Sequence, residues 1–166
     1  MHPSYLPDPS DFDFLAHLAP SERVAFAARC ARLALRLLHK LSLPVVPSER
    51  DAMETAVRLA EDAAANEANP KDLEMAMQDA GRLAFAALTQ RRFRTDMVIG
   101  HVSHAAYAAA RAALTASRDH TQDAMDYAFE AVRTAGARDI ERLLNEELRR
   151  CRRAVEQSMP DLTAAS

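Results

Sequence analysis

The side chains best placed to do chemistry are His101 and His104. They stand three apart in a helical stretch, share one face of it, and are followed along that face by Arg111. Two imidazoles on one face are the start of a zinc site, which needs a third ligand, usually a carboxylate or another histidine. With one, the chain would read as a metal-dependent helical enzyme. His120 and many acidic residues are available, but no spacing fixes which of them would serve. Helical di-iron proteins place Glu three residues before His, and no Glu-x-x-His occurs here. The helical zinc pattern of two histidines flanking Glu at four-residue spacing is also absent. Polar contacts at a helix interface are the preferred account of both histidines, so no catalytic residue and no cofactor is assigned.

Charged residues offer the second chemistry. Glu54, Glu61 and Asp62 would serve as an acid/base pair, as a face for a basic partner, or as a solvated helix surface. Arg91, Arg92 and Arg94 form one basic cluster, and Arg149, Arg150, Arg152 and Arg153 another. Cations near helix C-termini are favoured by the macrodipole. Read instead as a nucleic-acid surface, with Phe93 stacking on a base, they need a basic protein around them. The formal net charge is −3, which does not favour that partner. A protein partner is the better expectation, with Glu54, Glu61, Asp62, Arg149, Arg150 and Arg153 as candidate contacts. Arg29, Arg32, Arg36 and Lys40 line one side of a helix and read as ion-pair partners for the acidic stretch. Tyr107 and Tyr127 read as rim-of-core residues with wet hydroxyls. Three isolated glycines (Gly81, Gly100, Gly136) cannot build a phosphate loop.

These residues sit on elements of one kind. Alanine makes up 35 of the 166 residues, aromatics 5%, and tryptophan is absent. Alanine is the best helix former and is depleted from strands. Met1–Pro9 carries three prolines and reads as an extended tail. A short helix follows at Ser10–Leu18. Apolar residues then recur at three and four spacing from about Pro20 to Leu43, where Pro44 and Pro47 stop them. The next stretch, Ser48 to Glu67, opens on Ser48 with Asp51 as a capping-box variant. Asn69-Pro70 caps the following one, in which Gly81 marks a close helix crossing. An alanine-rich stretch runs from after Thr95 to Ser117. Thr121–Gly136 ends on a C′ glycine, and Arg138–Met159 closes the pattern. The expected fold is all-α: a single-domain up-and-down bundle of five long helices plus a short N-terminal helix, over residues 10–160, with 161–166 disordered. Alanine concentrated between Ala105 and Ala113 predicts tightly spaced helices with little room for a ligand, and a core that leans on Phe26, Phe85, Phe129, Leu38 and Leu144.

Cys30 and Cys151 lie inside helical patterns and read as small buried hydrophobes in a reducing compartment. Met1–Asp13 has no basic and apolar signal regions, and no apolar run approaches the roughly 20 residues of a membrane span. A cytoplasmic protein with no membrane partner is expected.

Phe26-Ala-Ala-Arg-Cys-Ala-Arg-Leu-Ala-Leu-Arg-Leu-Leu38, then Ser48-Glu-Arg-Asp-Ala-Met-Glu54, Ala56-Val-Arg-Leu-Ala60 and Lys71-Asp-Leu-Glu-Met-Ala-Met-Gln-Asp-Ala80 precede the alanine-rich stretch. This order resembles a group of bacterial alanine-rich all-helical proteins, some labelled immunity proteins. The resemblance covers roughly residues 20–115. Members often carry Trp in the alanine-rich helix, and here there is none. It implies an all-α fold and a partner-binding role, and it transfers no catalytic residue. The expected function is a non-enzymatic protein-binding module, and the resemblance implies as its narrower form an immunity-type protein that neutralises a toxin through a helix face. The alternatives are the metal enzyme using His101 and His104 and a nucleic-acid accessory using the arginines. Broad apolar stripes on the first and fourth long helices also fit a homodimer.

Overall fold

The computed structural model describes residues 9–89 and 93–158. The N-terminal tail expected at 1–9 and the C-terminal segment 161–166 lie outside them, save Pro9. A 3-10 helix spans Pro9–His17, and six α-helices follow: α1 Pro20–Lys40, α2 Pro47–Ala64, α3 Pro70–Thr89, α4 Arg94–Thr115, α5 Arg118–Ala135 and α6 Arg138–Ser158. The architecture is an all-α helical bundle with a short N-terminal piece. Among the described residues the long helices number six, against the five expected, and the last runs 21 residues.

Prolines set the helix starts. Pro20 and Pro47 open α1 and α2, and neither helix has a side-chain cap. The capping role expected of Ser48 therefore falls to Pro47, whose fixed φ suits the first helical turn. At α3, Asn69 Oδ1 accepts from the Lys71 N–H at 2.9 Å, the cap read from Asn69-Pro70. Before α4, the Phe93 N–H donates to Asp96 Oδ2 at 3.3 Å. Ala116 ends α4 in the left-handed region, and Ser117 caps α5 by accepting from the Asp119 N–H at 3.2 Å. Gly136, at φ +68°, turns the chain from α5 into α6.

Two helices form the centre. α4 packs on α1, α2, α3 and α5, while α1 packs on α2, α4, α5 and α6. Ala105, Ala106, Ala109, Ala110 and Ala112 are fully buried, so neighbouring helices approach α4 on methyl groups. Both glycines inside helices lie at the α3–α4 crossing. A Cβ on Gly81 would stand 3.1 Å from the Tyr107 ring, and one on Gly100 would stand 3.1 Å from Ala87 Cβ. The close crossing read from Gly81 is therefore present, and Gly100 is its second half. Phe26 is fully buried and meets Phe14 edge to face at 6.1 Å, which ties the 3-10 segment to α1. α6 is peripheral, attached through Ile140, Leu144, Cys151 and Val155.

Candidate functional site

Packing leaves α4 with one open side. α3 and α5 flank it, and between them its outer stripe of Met97, His101, His104, Tyr107, Arg111 and Leu114 advances three or four residues at a time. Residues at that spacing line one helix face, and Met97, His101, His104, Tyr107 and Arg111 among them form the floor of a groove. Its narrow section, about 50 Å³, is lined by Met97, Gly100, His101, His104 and Tyr127. The wider section, about 270 Å³, is lined by Phe85 from α3, His104, Tyr107 and Arg111 from α4, and His120, Asp123 and Tyr127 from α5. His104 and Tyr127 belong to both, so the two sections are continuous.

Rings organise this floor. The His104 ring stacks on Tyr127 with centroids 4.5 Å apart and planes inclined by 28°, and His101 lies 6.3 Å from the same tyrosine. His104 Nδ1 donates to the Gly100 carbonyl at 2.9 Å. Arg111 lies 5.9 Å above the Tyr107 ring and donates from Nη1 to its hydroxyl at 3.2 Å. His120 Nδ1 is 4.0 Å from Asp123.

The metal reading of His101 and His104 lacks a third ligand. Among the described residues no group of three His, Cys, Asp or Glu side chains is placed to hold a metal ion. Both rings stack on Tyr127.

The acidic candidates are engaged within the fold. Arg32 of α1 reaches Glu61 through two N–H groups at 2.9 and 2.8 Å, and also pairs with Glu54. These bonds push the Arg32 guanidinium above its ordinary range. Asp62 pairs with Arg58 one turn away at 3.3 Å. Glu54 and Glu61 thus form a seam between α1 and α2, with 47% and 39% of their side chains exposed. Of the other α1 cations, Arg29 and Lys40 go to α6, pairing with Glu147 and Asp139.

On α6, Arg150 pairs with Glu147 at 2.6 Å and Arg149 donates to the Asn145 carbonyl at 3.2 Å. Arg149, Arg150 and Arg153 line a shallow surface hollow of about 430 Å³. The other cluster is represented by Arg94, whose guanidinium bonds the Thr134 carbonyl; Arg91 and Arg92 lie outside the described residues. Phe93 is exposed.

Cys30 and Cys151 are free and buried. Burial, then the negative charge of Glu147, raises both thiols above their ordinary range. For Glu147 itself, burial works to raise the carboxyl, but Arg150 and Arg29 outweigh it and hold the group below the usual range. Low-pKa thiols are the reactive ones, so this pair belongs to packing.

The groove was missed from sequence. Phe85, expected in the core, stands 64% exposed on its rim. Alanine does close the interior, but the space the small residues leave opens outward along α4. The available signal was a stripe of rings and one cation on an otherwise alanine helix. No helix among the described residues is long and apolar enough to cross a membrane. Compared with known proteins, the chain matches no family model, no curated protein and no solved structure.

Proposed function

We propose that the chain is a non-enzymatic binding module that takes a helical segment of a partner protein along the open side of α4. One observation carries this reading: the central helix of the bundle is covered by α1 and α2 and flanked by α3 and α5, yet its remaining side is a groove. Met97, 39% exposed, lines one end of that groove, rings line its length, and Leu114, 37% exposed, continues the same helix face beyond Arg111. An amphipathic helix laid in such a groove reads it through anchors at three and four spacing. Aromatic and arginine side chains are the types that most often dominate binding energy at interfaces. An immunity-type role, in which the partner is a toxin, is the narrower form that the sequence resemblance favours.

The charged candidates on α2 give this reading little, because Glu54 and Glu61 already satisfy Arg32. The test is co-expression of the tagged chain with the product of the adjacent gene. The expected result is a complex of fixed stoichiometry that Leu114→Asp and Arg111→Glu each abolish. A complex that survives both substitutions but is lost on Arg149→Glu with Arg153→Glu would move the site to α6 and refute the groove. No complex at micromolar concentrations would refute that gene's product as the partner.

A further inference from the structure

We propose that the wide section of the groove is a carboxylate subsite, in which Arg111 pairs with an acid group carried on a flat aromatic stem. The inference deepens the binding reading above and rests on the groove being the binding site.

Arg111 is the cation that lines the ringed section of the groove. Arg29, Arg32, Arg58, Arg133 and Arg150 each meet a carboxylate within the chain. Arg111 meets none among the described residues. Its hydrogen-bond partner is the neutral Tyr107 hydroxyl, and the same ring supports the guanidinium from below. One N–H is used, so the rest of a fork that matches a carboxylate in two-point fashion remains for a ligand. Tyr107 holds that fork in place, which lowers the entropy lost on binding.

The stem follows from the lining. Phe85, His104, Tyr107, His120 and Tyr127 put five rings around one space, and rings prefer offset or edge-on partners. The volume, about 270 Å³, falls just below the range of roughly 300–1,000 Å³ for drug-sized ligands. It has room for one ring with a short acid arm. Asp123 is the carboxylate that lines this section, 56% exposed and beside His120. It repels an anion from the α5 wall, so the acid group is directed to the Arg111 side.

The source is an acidic side chain beside an aromatic one on the docked protein segment, and a free aromatic acid is the competing outcome of the test. The experiment titrates the isotope-labelled full chain with phenylacetate and, separately, with phenylacetamide, following amide resonances. Saturable shifts at Ala84, Tyr107, Arg111 and Tyr127 are expected with the acid. The amide should bind at least about tenfold more weakly, since a charge-assisted two-point contact is lost. Arg111→Gln should weaken phenylacetate by a similar factor, and Asp123→Asn should tighten it two- to threefold, roughly the effect of removing one screened charge.

A dissociation constant below about 100 µM would identify a free acid as the natural source, and a millimolar one a side chain on a segment. Equal binding of acid and amide, indifference to Arg111→Gln, or no saturable shift would overturn the subsite. The partner complex provides the separate arm. A complex sensitive to Leu114→Asp in a chain that ignores phenylacetate would keep the protein-binding reading and refute the subsite. Phenylacetate binding in a chain that forms no such complex would do the reverse.

Discussion

Replacing each helical glycine by alanine tests the α3–α4 crossing that shapes the groove. Both substitutions gain about 1 kcal/mol of helix propensity. Both also add a methyl at 3.1 Å from a neighbour, several tenths of an ångström closer than ordinary carbon contact. The neighbours differ in how they yield. At Gly81 the obstacle is the Tyr107 ring, half-buried at the groove, which can swing by a small side-chain rotation. At Gly100 it is Ala87 Cβ, fixed to the backbone, so relief requires α3 to move away from α4. Overpacking costs about 1–3 kcal/mol. Placing Gly81 at the low end and Gly100 toward the high end gives a net change near zero for Gly81→Ala. Gly100→Ala should lose about 1–2 kcal/mol. At roughly 2–4 °C per kcal/mol for a chain of this size, Gly100→Ala should lower the Tm by about 2–8 °C. Gly81→Ala should leave it within about 2 °C and shift the Tyr107 ring resonances. The assay is thermal unfolding by circular dichroism with urea titration. A Gly100→Ala variant as stable as the wild type, or more stable, would refute the close crossing.

Arg32→Gln should cost about 1–2 kcal/mol by urea unfolding, because it leaves Glu54 and Glu61 facing each other across the α1–α2 seam; a loss under about 0.3 kcal/mol would show the seam to be solvated. Asp126 is pushed up to about 6 by lost hydration and by Asp123 and Glu130, against Arg133. The folded chain therefore holds a proton that the unfolded chain releases, and the contribution of Asp126 weakens stability as pH rises from about 3.8 to about 6. Because the side chain is exposed, screening leaves at most about 1 kcal/mol; Asp126→Asn should recover it at pH 7 and nothing at pH 3, as read by urea midpoints at the two pH values. Cys30 and Cys151, buried with raised thiols, should resist a thiol-specific disulfide reagent at neutral pH in the folded protein and react once guanidinium unfolds it; rapid labelling of native protein would contradict their packing role.

Element boundaries were legible where the backbone itself forces them. Pro20 and Pro70 start helices, Asn69 caps one, and Gly136 ends one, since each acts within a turn of its own position. Ser48 misled because a proline one residue earlier already supplies the start. Long-range pairing was legible only in kind. The cations of α1 do seek carboxylates, but periodicity could not say that Arg32 would turn to α2 while Arg29 and Lys40 turn to α6.

The groove was least legible. A helical stripe reveals which residues share a face, but not whether a neighbouring helix covers it. Alanine on nearly every side of α4 made its open side look like its buried ones. Phe85 joined the core on apolarity alone, although its angular position on α3 places it at the rim.

The central claim is that a partner lies along the open side of α4, and site-specific photo-crosslinking tests it most directly. A benzophenone amino acid would replace Phe85 or Met75, two α3 side chains of equal exposure, 64%. Only Phe85 lines the groove. With the partner co-expressed, the account predicts a discrete adduct from position 85, none from position 75, and loss of the adduct on Arg111→Glu. Equal crosslinking from both positions, or an adduct at 85 that Arg111→Glu leaves intact, would contradict it.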